Sequence, residues 1–323
     1  MRPNVSSSRK GLPLLSEGLP RAQRGLRRVA VGLDFSLQSE FALARALRLP
    51  LAHGAAFSVL HVSPPLDGHQ GPDGTVACER CLRRSVTSAA KRLRQRPDVD
   101  VREELRTGDA PHVVAELAKD QGVEVLVVGR PHPAFPLKPL PDNSLVLRLV
   151  REVDASVLVV MPHPGRVYHR PLVAVNFSRE SRRALELTMR LCPASTPIEV
   201  LHVVDLRAEE EALRHQDGHL TQEFQLRQER EDAARRALGR FLAPYRETGR
   251  VMESRLRFGD PRECILAEAF ERESDLLTLG MSSANPPSEL AEGVLRRSHC
   301  DVLISRHAAP PAALPDGGNI PAS

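Results

Sequence analysis

The sequence predicts an α/β fold made of two doubly wound domains, each a five-stranded parallel sheet with helices packed on its faces. Three observations carry that prediction. Val29 to Leu47, VAVGLDFSLQSEFALARAL, is echoed by Val173 to Leu187, VAVNFSRESRRALEL, with Asp34 and Asn176 in matching places 142 residues apart. Apolar runs of strand length alternate with helical patterns along the whole chain. The length of 323 residues suits two domains, each able to bury its own core.

The elements of the first repeat follow in order. A strand over about 28–34 leads to a helix over about 37–49, with Ser36 placed to cap its first turn. Phe41, Ala44 and Leu47 recur there at helical spacing. Ala55 to Val62, AAFSVLHV, is a nearly unbroken apolar run, as expected of a strand covered on both faces of a parallel sheet. A Gly- and Pro-bearing loop over 68–74 precedes a helix to about 95, and 99–105 is the third strand. Gly108, Asp109, Ala110 and Pro111 open another helix. Val123 to Gly129 and Ser156 to Val160 are the fourth and fifth strands, separated by a short helix near 143–150.

The second repeat retraces this order. Ser178 takes the place of Ser36, and Leu201-His202-Val203 answers Leu60-His61-Val62. The stretch 209–245 is strongly charged, with Leu220, Phe224, Ala234, Leu238 and Phe241 as its expected inner stripe. Strands are expected at 251–256, 275–280 and 301–305, and Gly259-Asp260-Pro261 opens the helix after the first of them. The domain bounds read 27–163 and 168–306. Residues 1–26 form a basic tail and 307–323 a second tail, both expected to be disordered.

Composition excludes several function classes. No run of 18 apolar residues is present to span a bilayer, so no membrane partner is expected. Aromatic residues make up 3%, with no Trp, which leaves little material for a stacking platform. The net charge of +4 is concentrated: residues 1–28 hold seven basic residues against Glu17, a net +6, leaving the rest of the chain at −2. Nucleic acid is therefore not an expected partner. The five cysteines, Cys78, Cys81, Cys192, Cys264 and Cys300, are odd in number and scattered, as suits reduced thiols in the cytoplasm.

These residues together resemble the universal stress proteins, in tandem. The resemblance rests on V-A-V-x-x-D-F-S at 29–36, on L-H-V at 60–62 and 201–203, on the G-D-x-P segment at 108–111, and on apolar strands ending in Gly129 and Gly280. It covers residues 27–306. It implies a Rossmann-like fold of the adenine nucleotide alpha hydrolase type, with strand order 3-2-1-4-5. It also implies an internal pseudo-dimer in which Ser156–Val160 meets Asp301–Ser305.

The resemblance further implies an adenine nucleotide site, with the Asp that ends strand one beside the adenosine. A loop after strand four, G-x2-G-x9-G-[ST], would hold the phosphates through backbone N–H groups. In repeat one Asp34 and Gly129 are present, but His132 and Asp142 replace the later glycines. Pro131, Pro133, Pro136, Pro139 and Pro141 have no N–H to offer. Asn143 and Ser144 could stand in for the final pair. In repeat two Asn176 replaces the aspartate, Ser283 the middle glycine and Val294 the final hydroxyl residue, while Gly280 and Gly293 keep the 13-residue spacing. Nucleotide binding is thus expected at Asn176, Gly280, Ser283 and Gly293 rather than at Asp34, Gly129 and Ser144.

Other candidates have plainer explanations. Within Cys78-Glu79-Arg80-Cys81, Cys78 and Cys81, with Leu82 beside it, share one helical face with Val86, Ala89 and Leu93, which suits core thiols rather than zinc. His61 and His202 sit inside apolar strands as core histidines. Asp109 and Asp260 read as helix caps, Asp260 with Glu263 as a capping box. The charges from Glu209 to Arg236 read as a solvated helix face. No G-x-S-x-G, H-E-x-x-H or Walker sequence supports an enzyme. The expected function is that of a stress-response regulatory or adaptor protein with protein partners, binding ATP or another adenine nucleotide weakly and no metal beyond Mg with nucleotide. The alternative is an ATP-binding, slowly ATP-hydrolysing switch.

Overall fold

The computed structural model describes residues 25–64, 79–96, 98–131, 140–141, 144–162, 166–213, 219–282 and 289–306. Domain 1 runs β1 (Leu26–Gly32), α1 (Leu37–Ala46), β2 (Leu51–Ser63), α2 (Glu79–Leu93), β3 (Val99–Thr107), α3 (Ala110–Asp120), β4 (Val125–Gly129), α4 (Leu145–Glu152) and β5 (Ser156–Val160). Domain 2 runs β6 (Pro171–Ala174), α5 (Arg179–Leu191), β7 (Ile198–Val204), α6 (Arg207–Leu213), α7 (His219–Leu242), a 3-10 turn (Ala243–Thr248), β8 (Met252–Phe258), α8 (Pro261–Glu271), β9 (Leu276–Gly280), α9 (Glu289–Arg297) and β10 (Asp301–Ser305). The boundary expected at residue 27 falls inside β1, where Leu26 is already fully buried.

Among the described residues the strands form one sheet in the order β3-β2-β1-β4-β5-β10-β9-β6-β7-β8. Every pairing is parallel except at the centre, where β5 and β10 run antiparallel with Val159 opposite Val302, Leu158 opposite Leu303 and Val157 opposite Ile304. Both strands are buried along their whole length, so their apolar residues carry no alternation. One core cluster crosses the junction, joining Leu126, Val157 and Val159 to Leu277, Val302 and Ile304. The two halves thus share a hydrophobic interior.

Polar contacts at the junction are buried and unequal. Arg45 of α1 lies 2.9 Å from the Asp301 carboxylate, with both side chains nearly inaccessible. Asp301 also accepts from the Tyr168 hydroxyl at 2.7 Å and from the Met161 N–H at 2.8 Å. The corresponding residue of domain 1, Ser156, accepts only from the Arg306 N–H, at 3.1 Å. Arg130, just past β4, donates to the Ser298 and Arg296 carbonyls at 2.6 and 2.7 Å. A guanidinium there meets the negative end of the α9 dipole.

Two expected helix faces differ from those observed. In α1 the buried positions are Ser39, Ala42, Leu43 and Ala46, not Phe41, Ala44 and Leu47. The segment FALARAL is apolar nearly all round, so its periodicity does not fix the phase. In α7 Ala234, Leu238 and Phe241 face the core as expected, but Phe224 is 68% exposed. Only the C-terminal half of that helix lies on the sheet, packing with β7 through Val200 and Ile198. The side chain of Leu220 lies outside the described residues.

Candidate functional site

The site is built from the turn that leaves the first strand of each domain. Asp34 Oδ1 accepts from the Ser36 N–H at 3.0 Å and from its hydroxyl at 2.5 Å, while Ser36 Oγ caps α1 by accepting from the Ser39 N–H at 3.2 Å. Partial desolvation pushes the Asp34 carboxyl up, but the Ser36 hydrogen bonds outweigh it and hold the carboxyl below its usual value. It stands ionised at neutral pH.

Between them Phe35 adopts φ 61°, a left-handed conformation rare for a bulky residue, and Phe177 repeats it at φ 65°. Each ring is seated against the histidine of the next strand, Phe35 on His61 at 4.6 Å and Phe177 on His202 at 4.2 Å between ring centroids. His61 Nδ1–H donates to the Leu33 carbonyl at 2.7 Å, and His202 Nδ1–H to Val175 at 2.8 Å. These histidines are structural: each ties the strained turn to the neighbouring strand. The recurrence of D-F-S and N-F-S ahead of the repeated L-H-V is the sequence signal of the two phenylalanines.

Gly129 and Gly280 end the fourth strand of each domain against the first turn of α1 or α5. A Cβ on Gly129 would stand 2.4 Å from the Gln38 carbonyl oxygen, and one on Gly280 2.3 Å from the Glu180 carbonyl carbon. Close backbone approach requires glycine at both positions, whatever the ligand.

In domain 1 this framework leaves a cavity of about 260 Å³ at the carboxyl ends of β1 and β4. That is the topological switch point, where open α/β sheets bind ligands. Asp34 and Gly129 line it, with Leu60, Val62, Val128 and Leu149 as apolar walls and Ala110 at the start of α3. No Lys or Arg lines it among the described residues. Ser144 is not part of the lining. It caps α4 instead, its hydroxyl accepting from the Leu147 N–H at 3.4 Å.

Domain 2 arranges its candidates differently. Asn176 Oδ1 accepts from the Ser178 N–H at 3.2 Å, the neutral counterpart of the Asp34 turn. Ser283 lies outside the described residues. Gly293, expected to close the phosphate loop, instead occupies the interior of α9. The physical reason is a shorter connection: Ser156 stands 27 positions after Gly129, but Asp301 only 21 after Gly280, so a 13-residue step overshoots into the helix. Its Cα faces the Arg262 side chain, whose Cδ a Cβ would approach to 2.5 Å. Arg262 Nε is buried there without a partner.

The remaining candidates fall as follows. Asp260 caps α8 by accepting from the Glu263 N–H at 3.0 Å. Asp109 makes no such cap and instead holds Arg148 through two hydrogen bonds of 3.1 and 2.7 Å. The Cys78 and Cys81 side chains lie outside the described residues, while Val86, Ala89 and Leu93 are buried. Glu210 pairs with Arg227 at 2.7 Å, joining α6 to α7. No group of three or more His, Cys, Asp or Glu among the described residues could hold a metal ion.

A pair of doubly wound domains, fused edge to edge and carrying a crevice beside the first-strand aspartate, defines a tandem α/β protein. The chain belongs to the universal stress protein family, whose model matches it twice, at residues 25–161 and 168–306. A universal stress protein from Archaeoglobus fulgidus is 17% identical with a TM-score of 0.58, covering 86% of this chain and 98% of its own. A protein of unknown function from Pseudomonas aeruginosa PAO1 is 18% identical with a TM-score of 0.62, covering 89% and 95% respectively. At these identities the likeness is one of fold. No curated protein matches the chain, and no helix among the described residues is long and apolar enough to cross a membrane.

Proposed function

We propose that this protein is a stress-response regulatory or adaptor protein that takes an adenine nucleoside or nucleotide in domain 1. The observation that carries the reading is the cavity beneath Asp34. Its apolar walls suit a flat base, and Asp34 Oδ2, which Ser36 does not engage, can accept from a ribose hydroxyl or an exocyclic amine. Without a basic residue in the described lining, affinity rests on the nucleoside rather than on the phosphates. These features support a site in domain 1 over one in domain 2, where the sequence pattern favoured it. Arg262 against Gly293 and the uncharged Asn176 both weigh against domain 2.

The test is a thermal melt of the full chain with adenosine, AMP and ATP with magnesium. A ligand binding only the native state at 100 times its Kd adds about 2.7 kcal/mol. Adenosine and AMP are expected to raise the melting temperature alike, and Asp34→Asn to abolish both shifts. No shift at millimolar ligand would leave protein recognition as the function. Magnesium-dependent ATP hydrolysis lost in Asp34→Asn would favour the switch reading. AMP is a natural probe because a universal stress protein from Arabidopsis thaliana was crystallised with it bound. A cytoplasmic setting fits Cys192, Cys264 and Cys300, all free thiols.

A further inference from the structure

A second concave site lies far from Asp34, on the outer flank of domain 2. It is a groove of about 430 Å³ between the C-terminal half of α7, the 3-10 turn and the edge strand β8. Met252, Ser254 and Leu256 alternate along β8 and so share one face, opposed by Leu238 and Leu242 of α7. These side chains give the groove an apolar floor.

Its charged lining is of one sign. Arg235, Arg246, Arg250 and Arg255 surround the floor, and no Asp or Glu lines it among the described residues. Nearby, Arg257 is neutralised by Glu268 and Glu271. Here Arg235 is held by Glu231 and Arg255 by Glu199, both from outside the groove. Arg250 Nη2 donates to the Cys192 carbonyl at 3.2 Å, but its Nη1 is buried with no acceptor.

Gly239 adds an independent observation. It stands inside α7 and lines the groove, yet a Cβ there would meet nothing within 4 Å. Helix interiors disfavour glycine relative to alanine, and no close approach demands it here. What its missing side chain provides is width.

We propose that this groove is a binding site for a small organic anion, its flat apolar body on Leu238, Leu242 and Leu256 and its phosphate or carboxylate drawn by Arg246 and Arg250. The volume lies within the range of small-molecule sites, and guanidinium groups are suited to either head group. The site shares no lining residue with the Asp34 cavity and does not depend on the reading given to that cavity.

The experiment is calorimetric titration of the full chain with 1-naphthyl phosphate, 1-naphthoate, neutral 1-naphthol and inorganic phosphate. One equivalent of at least one naphthyl anion is expected to bind, with naphthol and inorganic phosphate at least tenfold weaker. The stronger anion identifies the preferred head group. Gly239→Leu and Arg246→Glu should each weaken binding at least tenfold, and Ala110→Phe should leave it unchanged. Gly239→Ala should raise the melting temperature, showing that substitution at this position does not harm the fold. The proposal is overturned if neither anion binds at millimolar concentration, if naphthol binds as tightly as the anions, or if both groove variants bind as the parent does.

Discussion

The two domains share a backbone plan and differ in the residues that end their first strands and open the helices after their third. In domain 1 a carboxylate, a small residue and an open volume meet there: Asp34, Ala110 and the cavity between them. In domain 2 Asn176 replaces the carboxylate, and Arg262, one position into α8, lies against a glycine of α9. The lesson is that a duplicated fold can keep its turn mechanics in both copies while the ligand volume depends on a few side chains. The strained Phe35 and Phe177 turns, each braced by a histidine, belong to the mechanics. Ala110, at the start of α3, belongs to the volume.

The junction shows the same inequality, and breaking it should give the largest effect. Asp301→Ala strands Arg45 as an uncompensated buried charge, which costs about 3–5 kcal/mol, whereas Ser156→Ala at the matching position should cost about 1 kcal/mol. Urea denaturation midpoints measure both. Equal losses would show that the halves are tied symmetrically.

The crevices come next. Ala110→Phe should remove the adenosine-induced shift of about 2.7 kcal/mol at 100 times Kd, and Arg262→Ala should leave it intact. Loss of the shift in Arg262→Ala instead would assign the site to domain 2. The helix entries offer a smaller contrast. Asp260→Ala removes a cap and should cost about 1 kcal/mol, while Asp109→Ala, which loses only an exposed ion pair, should cost less. Equal melting temperatures for the two variants would refute that ordering.

The smallest effect concerns pH. Burial depresses His202 below its ordinary value of 6.5, only partly offset by the hydrogen bond to Val175, and burial depresses His299 as well. Both are neutral in the folded state where the unfolded chain begins to bind protons. Their contribution is therefore present above pH 6.5 and is lost as pH falls below it. His202→Gln should flatten the decline in denaturation midpoint between pH 7 and 5.5, and an unchanged slope would exclude His202 as a source.

Much of the fold was legible because strand runs and caps are local signals. SVLVV and DVLIS read as buried strands from their apolar continuity, and Ser36 and Ser178 read as caps from position alone. What was not legible depends on the third dimension. The phase of α1 is hidden by an all-round apolar segment. Gly293 was misplaced by counting a fixed loop length across a shorter connection. The cavity itself arises where β1, β4, α3 and α4 converge, and no linear spacing records the space they leave.

The most direct test of the unequal halves is the stoichiometry of adenosine binding to the full chain by calorimetry, in the parent and in Ala110→Phe. One equivalent per chain, abolished by the substitution, is the expected result. Two equivalents, or one that survives Ala110→Phe, would contradict the assignment of the open crevice to domain 1.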